Sequence, residues 1–202
     1  MSSADSAPTG QTETETQTQT QTQPQQRPRI VGPPEPQPPY PILVSGAVVK
    51  GFGRGGKQLG IPTANLAEDA VERTLRDIPI GVYLGWAQIA GEPQQQQQQQ
   101  PVWPMVMSLG WNPYFQNERR SGEVHVIHNF DEDFYGRTLN VAILAYIRPE
   151  RNYDSLDALI ADIHFDIDVA HRSLAREAYQ RVKELDFFSA EISKDGSSSS
   201  SD

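Results

Sequence analysis

The stretch with the clearest chemical content is glycine-rich and reads GFGRGGKQLGIPTANL at residues 51–66. Glycines let backbone N–H groups approach a phosphate closely, and Lys57 can neutralise phosphate charge. Two known motifs match in part. The dinucleotide fingerprint G-x-G-x-x-G begins at Gly51, and the P-loop G-x4-G-K-[ST] fails because position 58 is Gln. Both motifs need a helix directly after the glycines, and Pro62 excludes one. The sequence therefore predicts a phosphate loop of another kind.

Two oxygen-bearing side chains follow this loop at a spacing that suits a shared metal ion. Thr63 and Asn65 lie two residues apart, and in an extended segment such side chains point to the same side. Mg²⁺ commonly takes few protein oxygens and completes its shell with phosphates and water. The pattern predicts that both residues hold one hard cation beside the phosphates of a nucleotide. The alternative is an ordinary glycine-rich hairpin with a proline turn.

The elements that must position these residues are mostly short strands. Segments rich in Val, Ile and aromatic residues are bounded by Gly, Pro or Asn, which is typical of an antiparallel sandwich or barrel. No helical pattern separates them, so a parallel βαβ sheet is disfavoured. The predicted strands are 42–49, 81–90, 102–109, 123–130 and 138–147.

Near the carboxyl end the apolar spacing becomes helical. Apolar residues recur every three or four positions over residues 154–185, which predicts one long helix packed on the strands, with a possible interruption near Phe165. Asp154 or Ser155 can cap its amino end.

Composition separates this folded region from polar flanks. Residues 1–40, 93–101 and 191–202 are dominated by Gln, Thr, Pro and Ser, and such segments carry too little apolar surface to offset the entropy of ordering a backbone. We therefore predict disordered tails, an exposed poly-Gln loop, and a single domain over residues 41–190.

Charge and residue usage exclude several functions. A formal net charge of −9 disfavours general nucleic-acid binding, which needs clustered Lys and Arg. The chain has no Cys, which excludes disulfides and thiolate catalysis. His125 and His128 lie three apart on a predicted strand and would face opposite sides, which disfavours a structural zinc site.

No stretch is long and apolar enough to span a membrane. With no targeting segment evident, we expect a cytoplasmic protein, and mitochondrial or membrane-peripheral association stays open.

The run at residues 51–66, together with GVYLGWAQI and the continuous segment from SLGWNPYF to LIADI, resembles the riboflavin kinase family. The resemblance covers nearly all of residues 44–188 in order. It implies a small closed antiparallel Greek-key β-barrel with a long C-terminal helix. It also implies ATP-dependent conversion of riboflavin to FMN. No adenylyltransferase region precedes residue 41, so we expect a monofunctional, fungal-like form that stops at FMN.

The resemblance also implies roles for individual residues. Glu123 matches the catalytic carboxylate of the family. Without the resemblance, Glu123 would be interpreted as a solvated charge at the start of a strand. The carboxylates of the DED run that starts at Asp131 are alternative candidates for the catalytic role, although this run is typical of an exposed turn. The segment at 111–122 resembles a flap on the flavin side. The implied ligand contacts are Thr63 and Asn65 on the metal and ATP, Gly51 and Lys57 on the phosphates, His128 and Tyr135 near the nucleotide, and Arg148 in a loop that closes over the flavin.

Three further expectations complete the prediction. The activating ion is Mg²⁺, with Zn²⁺ as an alternative, and the substrates are ATP and riboflavin bound by a monomer. Removal of residues 1–40 should leave activity intact. The alternatives are a flavin- or nucleotide-binding module of the same fold without catalysis, and a barrel that acts mainly in protein interactions.

Overall fold

The computed structural model describes residues 27–51, 60–90, 100–111 and 119–189. The predicted tail and loop residues 1–26, 93–99 and 191–202 therefore lie outside the described residues. Within the described ranges, no helix is both long and apolar enough to cross a membrane.

The strands close into a barrel, as predicted. Their order around the barrel is β1-β2-β5-β4-β3-β6, and every neighbouring pair is antiparallel. This arrangement confirms a mainly β fold with a closed antiparallel barrel and a C-terminal helix. The strands are β1 (Ile42–Val49), β2 (Ala64–Leu66), β3 (Gly81–Ile89), β4 (Trp103–Trp111), β5 (Arg120–Val126) and β6 (Thr138–Arg148).

Two apolar clusters lie on either side of the barrel wall. Inward-facing residues such as Val44, Val124 and Met107 fill the interior. Outward-facing residues of β3, β4 and β6, among them Leu84 and Leu144, pack under the C-terminal helices. All nine residues of β3 are buried for this reason, because a strand covered on both faces has no solvent side.

The poly-Gln segment lies between β3 and β4 along the chain. Ala87 is paired with Trp103 across the ladder. The side-chain amide of Gln88 donates to the carbonyls of Gln100 at 3.1 Å and Phe188 at 2.7 Å. The pairing of Ala87 with Trp103 and the bond from Gln88 to Gln100 thus join β3 to the residues that follow the segment, and the bond to Phe188 joins β3 to the C-terminal helices.

A short helix, α1 (Glu68–Leu75), lies between β2 and β3 and contradicts the prediction that no helix separates the strands. Its apolar residues Ala70, Val71 and Leu75 are fully buried and belong to the barrel interior. Gly46 of β1 leaves room for this helix, since a Cβ there would lie 2.6 Å from Cβ of Ala70. With only eight residues, the helix is too short for a sustained periodic pattern to stand out.

The C-terminal region is a chain of short helices after one long one. Helix α2 (Leu156–Leu174) is capped at its amino end by Ser155, whose hydroxyl accepts a hydrogen bond from the backbone N–H of Ala158 at 3.2 Å. No interruption occurs near Phe165, and the predicted continuous helix instead ends at Leu174. There follow α3 (Glu177–Gln180), a 3-10 turn (Arg181–Glu184) and α4 (Asp186–Ser189).

The break after α2 has a tertiary cause. Arg176 is extended, with φ −67° and ψ 139°, and its guanidinium donates to the carbonyls of Val31 at 2.6 Å, Gly32 at 3.0 Å and Pro33 at 2.6 Å. These bonds reach a segment more than a hundred residues earlier, and local periodicity could not reveal them.

That segment, residues 27–37, is called here the N-terminal strap. Composition predicts it to be disordered, yet it makes defined contacts with α2 and α3. The backbone N–H of Val31 donates to the hydroxyl of Ser173 at 3.0 Å, and the hydroxyl of Tyr179 donates to the carbonyl of Pro33 at 3.0 Å. The predicted disorder of residues 1–40 is therefore wrong for residues 27–40. The strap has no hydrophobic core of its own, and it is held by hydrogen bonds to side chains of the C-terminal helices.

Candidate active site

A cavity of about 440 Å³ opens between the outside of the barrel and α2. One wall comes from β4, β5 and the residues before β2. The opposite wall comes from the segment after β6 and from α2. The polar residues that line it are Thr63, Ser108, Glu123, His125, Arg148, Glu150, Arg151, Asn152, Tyr153 and Asp166.

The first wall carries a row of polar side chains across three strands. Asn65 of β2 is paired with Glu123 of β5, and Glu123 is paired with Ser108 of β4. Directly opposed residues in a sheet point to the same face. Gly122 and Val124 on either side of Glu123 are buried while Glu123 is exposed, so this row faces outward.

A second carboxylate reaches the same row from the opposite wall. The hydroxyl of Ser108 donates to Oε1 of Glu150 at 2.9 Å. Gly110 allows this approach, because a Cβ there would lie 2.5 Å from the same oxygen. Glu123 and Glu150 thus line one cavity on either side of Ser108.

The predicted metal-binding pair has the expected orientation. Ala64 and Leu66 are buried while Thr63 and Asn65 are partly exposed, so the latter two share the outward face. Gly51 lies against Asn65, since a Cβ on Gly51 would be 3.0 Å from Cγ of that amide. Of these residues, Thr63 lines the cavity directly.

His125 fixes the position of the segment that leads to Thr63. Its Nδ1 lies 2.8 Å from the carbonyl oxygen of Pro62, which requires the proton on Nδ1. Burial lowers the pKa of His125; the Pro62 bond opposes this shift and the charge of His164 adds to it. We therefore describe His125 as a neutral donor in the cavity wall. The sequence assigns no site role to His125 and disfavours it as a zinc ligand, although its position two residues from Glu123 on one strand predicts that the two side chains share a face.

Arg148 lies at the end of β6, where it is only 6% exposed. Its Nε donates to Oδ2 of Asp166 at 2.9 Å, and its NH2 lies 2.8 Å from the same oxygen. Asp162 is 3.4 Å from Nε. Burial alone would lower the pKa of Arg148, but the hydrogen bond and charge of Asp166 outweigh it and raise the pKa. The guanidinium is therefore a permanently charged part of the cavity wall.

Tyr153 lines the cavity as well and is hydrogen-bonded to this ion-pair cluster. Its hydroxyl donates to Oδ2 of Asp162 at 2.6 Å. Burial, together with this hydrogen bond, raises the pKa of Tyr153 to about 12, so the phenol remains a neutral donor.

Comparison with known proteins shows the family to which this chain belongs. A protein-family model described as "Flavokinase: Riboflavin kinase" matches residues 38–174. The chain belongs to the riboflavin kinase family. All the polar residues that line the cavity fall within the matched range, whereas the N-terminal strap precedes it.

Individual riboflavin kinases align over most of their length. The riboflavin kinase of Homo sapiens is 47% identical over 154 aligned positions, which cover 76% of this chain and 94% of the human protein. That of Pyricularia oryzae is 48% identical over 161 positions, covering 75% of this chain and 80% of the relative. The crystal structure of riboflavin kinase from Trypanosoma brucei matches with a TM-score of 0.61 at 25% identity, covering 75% of this chain and 90% of that one.

Some residues implied by the riboflavin kinase resemblance do not line the cavity. The ring of His128 stacks on Trp103 with centroids 3.7 Å apart. Tyr135 is 48% exposed, and the ammonium of Lys50 lies 5.9 Å from its ring centroid. Their assignment to the nucleotide stays a prediction, and Lys57 lies outside the described residues.

The predicted flavin-side flap at residues 111–122 is only partly described. Residues 112–118 lie outside the described ranges. Arg120 donates to the carbonyls of Leu75 at 3.0 Å and Ile78 at 2.7 Å, and the guanidinium of Arg119 lies 2.7 Å from a carboxylate oxygen of Glu68. Both arginines therefore tie the end of this segment to α1 and the residues just after it.

No group of three or more His, Asp or Glu side chains suited to a metal ion occurs in the described part of the chain. His125 and His128 have separate partners, Pro62 and Trp103. The oxygens of Thr63 and Asn65 are neutral and hard, a donor set that suits Mg²⁺ shared with phosphates better than zinc.

Proposed function

We propose that this chain is an ATP-dependent riboflavin kinase, which transfers the γ-phosphate of ATP to the 5′-hydroxyl of riboflavin and yields FMN and ADP. The observation that carries the proposal is the outward row of Asn65, Glu123 and Ser108 at the cavity. In a chain of this family, the row places a carboxylate beside the proposed metal-binding pair. A cavity of about 440 Å³ is also in the usual size range for small-molecule sites.

Glu123 is proposed as the general base. Its carboxylate accepts the proton of the riboflavin 5′-hydroxyl as that oxygen bonds to the γ-phosphorus of ATP. The bond from phosphorus to the bridging oxygen then breaks, and ADP leaves. Phosphoryl transfer depends mostly on positioning and charge stabilisation. A strand residue paired on both sides provides a rigid support for such a base.

Thr63 and Asn65 are proposed to hold the activating Mg²⁺, which when bound neutralises charge on the phosphate oxygens. Zn²⁺ is an alternative activating ion, and the neutral oxygen donors favour Mg²⁺. Gly51 supports the amide of Asn65 by close contact, and its backbone, with Lys57, is assigned to the phosphates. His128 and Tyr135 are assigned to the rest of the nucleotide.

Arg148 is proposed to belong to the flavin-binding part of the cavity, together with Tyr153. The Asp166 carboxylate holds the guanidinium in place, so Arg148 presents a fixed positive edge to a bound flavin. We also propose a cytoplasmic monomer. Gel filtration and cell fractionation test those two points.

The function is tested by incubating the purified full chain with riboflavin, ATP and Mg²⁺ and measuring FMN by chromatography. Glu123→Gln should lower turnover by at least about a hundredfold, the lower range for loss of a general base. Glu132→Gln, in an exposed turn, is the matched control and should be unaffected. Thr63→Ala should raise the Mg²⁺ concentration needed for half-maximal rate.

Three outcomes would count against these assignments. Absence of FMN would reject the assignment as a riboflavin kinase, and riboflavin binding without turnover would favour the non-catalytic binding module. Full activity in a folded Glu123→Gln variant would reject the assignment of Glu123 as the general base. An unchanged Mg²⁺ requirement in Thr63→Ala would reject the metal site.

A further inference from the structure

Arg27, in the N-terminal strap, connects the strap to the helix that forms one cavity wall. Its NH1 donates to Oδ1 of Asp162 and its NH2 donates to Oδ1 of Asp166. The same guanidinium lies over the ring of Phe165, with Cζ 4.4 Å from the centroid. The planar fork of one arginine thus joins two carboxylates that are one helical turn apart.

The two carboxylates are shared with the cavity. Asp166 is only 1% exposed, and its other oxygen binds Arg148. Asp162 accepts the hydroxyl of Tyr153 through its Oδ2. Arg148, Tyr153 and Asp166 all line the cavity. Arg27 therefore contacts the cavity wall directly at Asp166, and it is linked to Arg148 and Tyr153 through Asp166 and Asp162.

Charge balance explains why Arg27 matters to this wall. Arg27 and Arg148 face Asp162 and Asp166, so two cations oppose two carboxylates in a largely buried cluster. Without Arg27, Arg148 would be the main cation for both carboxylates, with Arg151 3.8 Å from Asp162. Buried charges that lose a partner rearrange or recruit water. Either change moves Arg148 or releases Tyr153.

We propose that Arg27 is a positioning residue for the riboflavin site: through Asp162 and Asp166 it fixes Arg148 and Tyr153 in the orientation that binds the flavin. Arg27 lies in the strap, which precedes residues 38–174, the range matched by the family model. The inference rests on the proposed function, because it assigns this end of the cavity to riboflavin.

The test compares Arg27→Met and Arg27→Lys with wild type in the full chain. Arg27→Met should raise KM for riboflavin about fivefold or more, with kcat and KM for ATP within about twofold. Arg27→Lys should give an intermediate KM, because an ammonium cannot bridge both carboxylates as the planar fork does. Arg29→Met is the matched control, since Arg29 is 62% exposed and lies 3.8 Å from Asp168.

A folded Arg27→Met variant with wild-type KM for riboflavin overturns the proposal, and so does a fall in kcat alone. If Arg27→Met does not fold, Arg27→Lys decides: a raised KM supports the proposal and a wild-type KM rejects it. The dissociation constant of riboflavin, measured by quenching of its fluorescence, gives the same comparison without turnover. If the wild-type chain binds riboflavin but makes no FMN, the proposed function is rejected. The role of Arg27 can then still be tested by comparing the riboflavin dissociation constants of wild type and variants.

Discussion

His125 links the cavity wall to the segment that carries Thr63, through the bond to the Pro62 carbonyl. Because burial lowers its pKa in the folded protein, the unfolded chain, with the ordinary pKa of about 6.5, takes up a proton first as the pH falls. The stabilising contribution is therefore complete above about pH 6.5 and is lost as the pH falls below it.

Replacement of this histidine should flatten the acid side of the stability profile. His125→Gln keeps a donor for Pro62 but cannot titrate. We expect its free energy of unfolding, measured in urea between about pH 7 and 5, to fall less steeply than that of wild type. His171→Gln, at an exposed position of α2, should keep the wild-type slope. Equal slopes for His125→Gln and wild type would show that His125 does not carry the effect.

Alternation along the strands allowed part of the site to be predicted from sequence. The two-residue repeat alone predicts that Thr63 and Asn65 share one face, and the structure has both side chains on the outward face. The role of Glu123 follows from the family resemblance and not from the repeat. Arg148 was expected in a closing loop, but it ends a strand and is held by Asp166, eighteen residues away on α2. Glu150 was missed because only the folded chain brings it to Ser108.

At the scale of elements, α1 shows how a strand and a short helix depend on one small residue. A methyl group at Gly46 would lie 2.6 Å from Cβ of Ala70, which is well inside contact distance. Alanine also lowers the entropy of the unfolded chain, a gain of roughly 0.4–1 kcal/mol. Overpacking typically costs about 1–3 kcal/mol, so the overlap should outweigh the gain.

Gly46→Ala should therefore lower the free energy of unfolding by roughly 1.3 kcal/mol, the difference between the middle values of these two ranges. Urea denaturation followed by tryptophan fluorescence measures the change. Ala47→Val, at the exposed neighbouring position, adds more volume and should change stability by less than about 0.5 kcal/mol. A Gly46→Ala variant as stable as wild type would mean that α1 shifts freely on the barrel.

Elements with a long repeating pattern were predicted well, and elements fixed by distant contacts were not. The predicted strand 42–49 has the bounds of β1, and the other four predicted strands differ from the structure by one to four residues at an end. The three-residue strand β2 is not among the predicted strands. Helix α1 has two turns and was missed. The end of α2 at Leu174 follows from Arg176, which turns away to bind the strap. No spacing within α2 carries that information.

At the scale of the whole molecule, the strap changes where the folded unit begins. The expectation that residues 1–40 can be removed without effect does not agree with the contacts of Arg27, Val31 and Pro33. The composition of residues 1–24 gives no reason to expect such contacts there.

Two truncations should therefore behave differently. Removal of residues 1–24 should leave stability and riboflavin KM unchanged. Removal of residues 1–37 should cost on the order of 3 kcal/mol, as for loss of a partner from a buried ion pair, and should raise the KM. Urea unfolding and steady-state kinetics measure both. If the longer truncation matches wild type in both measurements, the strap is dispensable.

The pairing of β3 with β4 around the poly-Gln segment has a consequence for natural variation. Glutamine repeats gain and lose units easily when genes are copied, and this one begins and ends between strands that are already joined by Ala87 with Trp103 and by Gln88 with Gln100. A doubling of loop length costs only about 0.6 kcal/mol. Variants of this protein that differ in the number of glutamines should therefore have nearly equal stability. We expect selection for stability to constrain the length of the repeat only weakly.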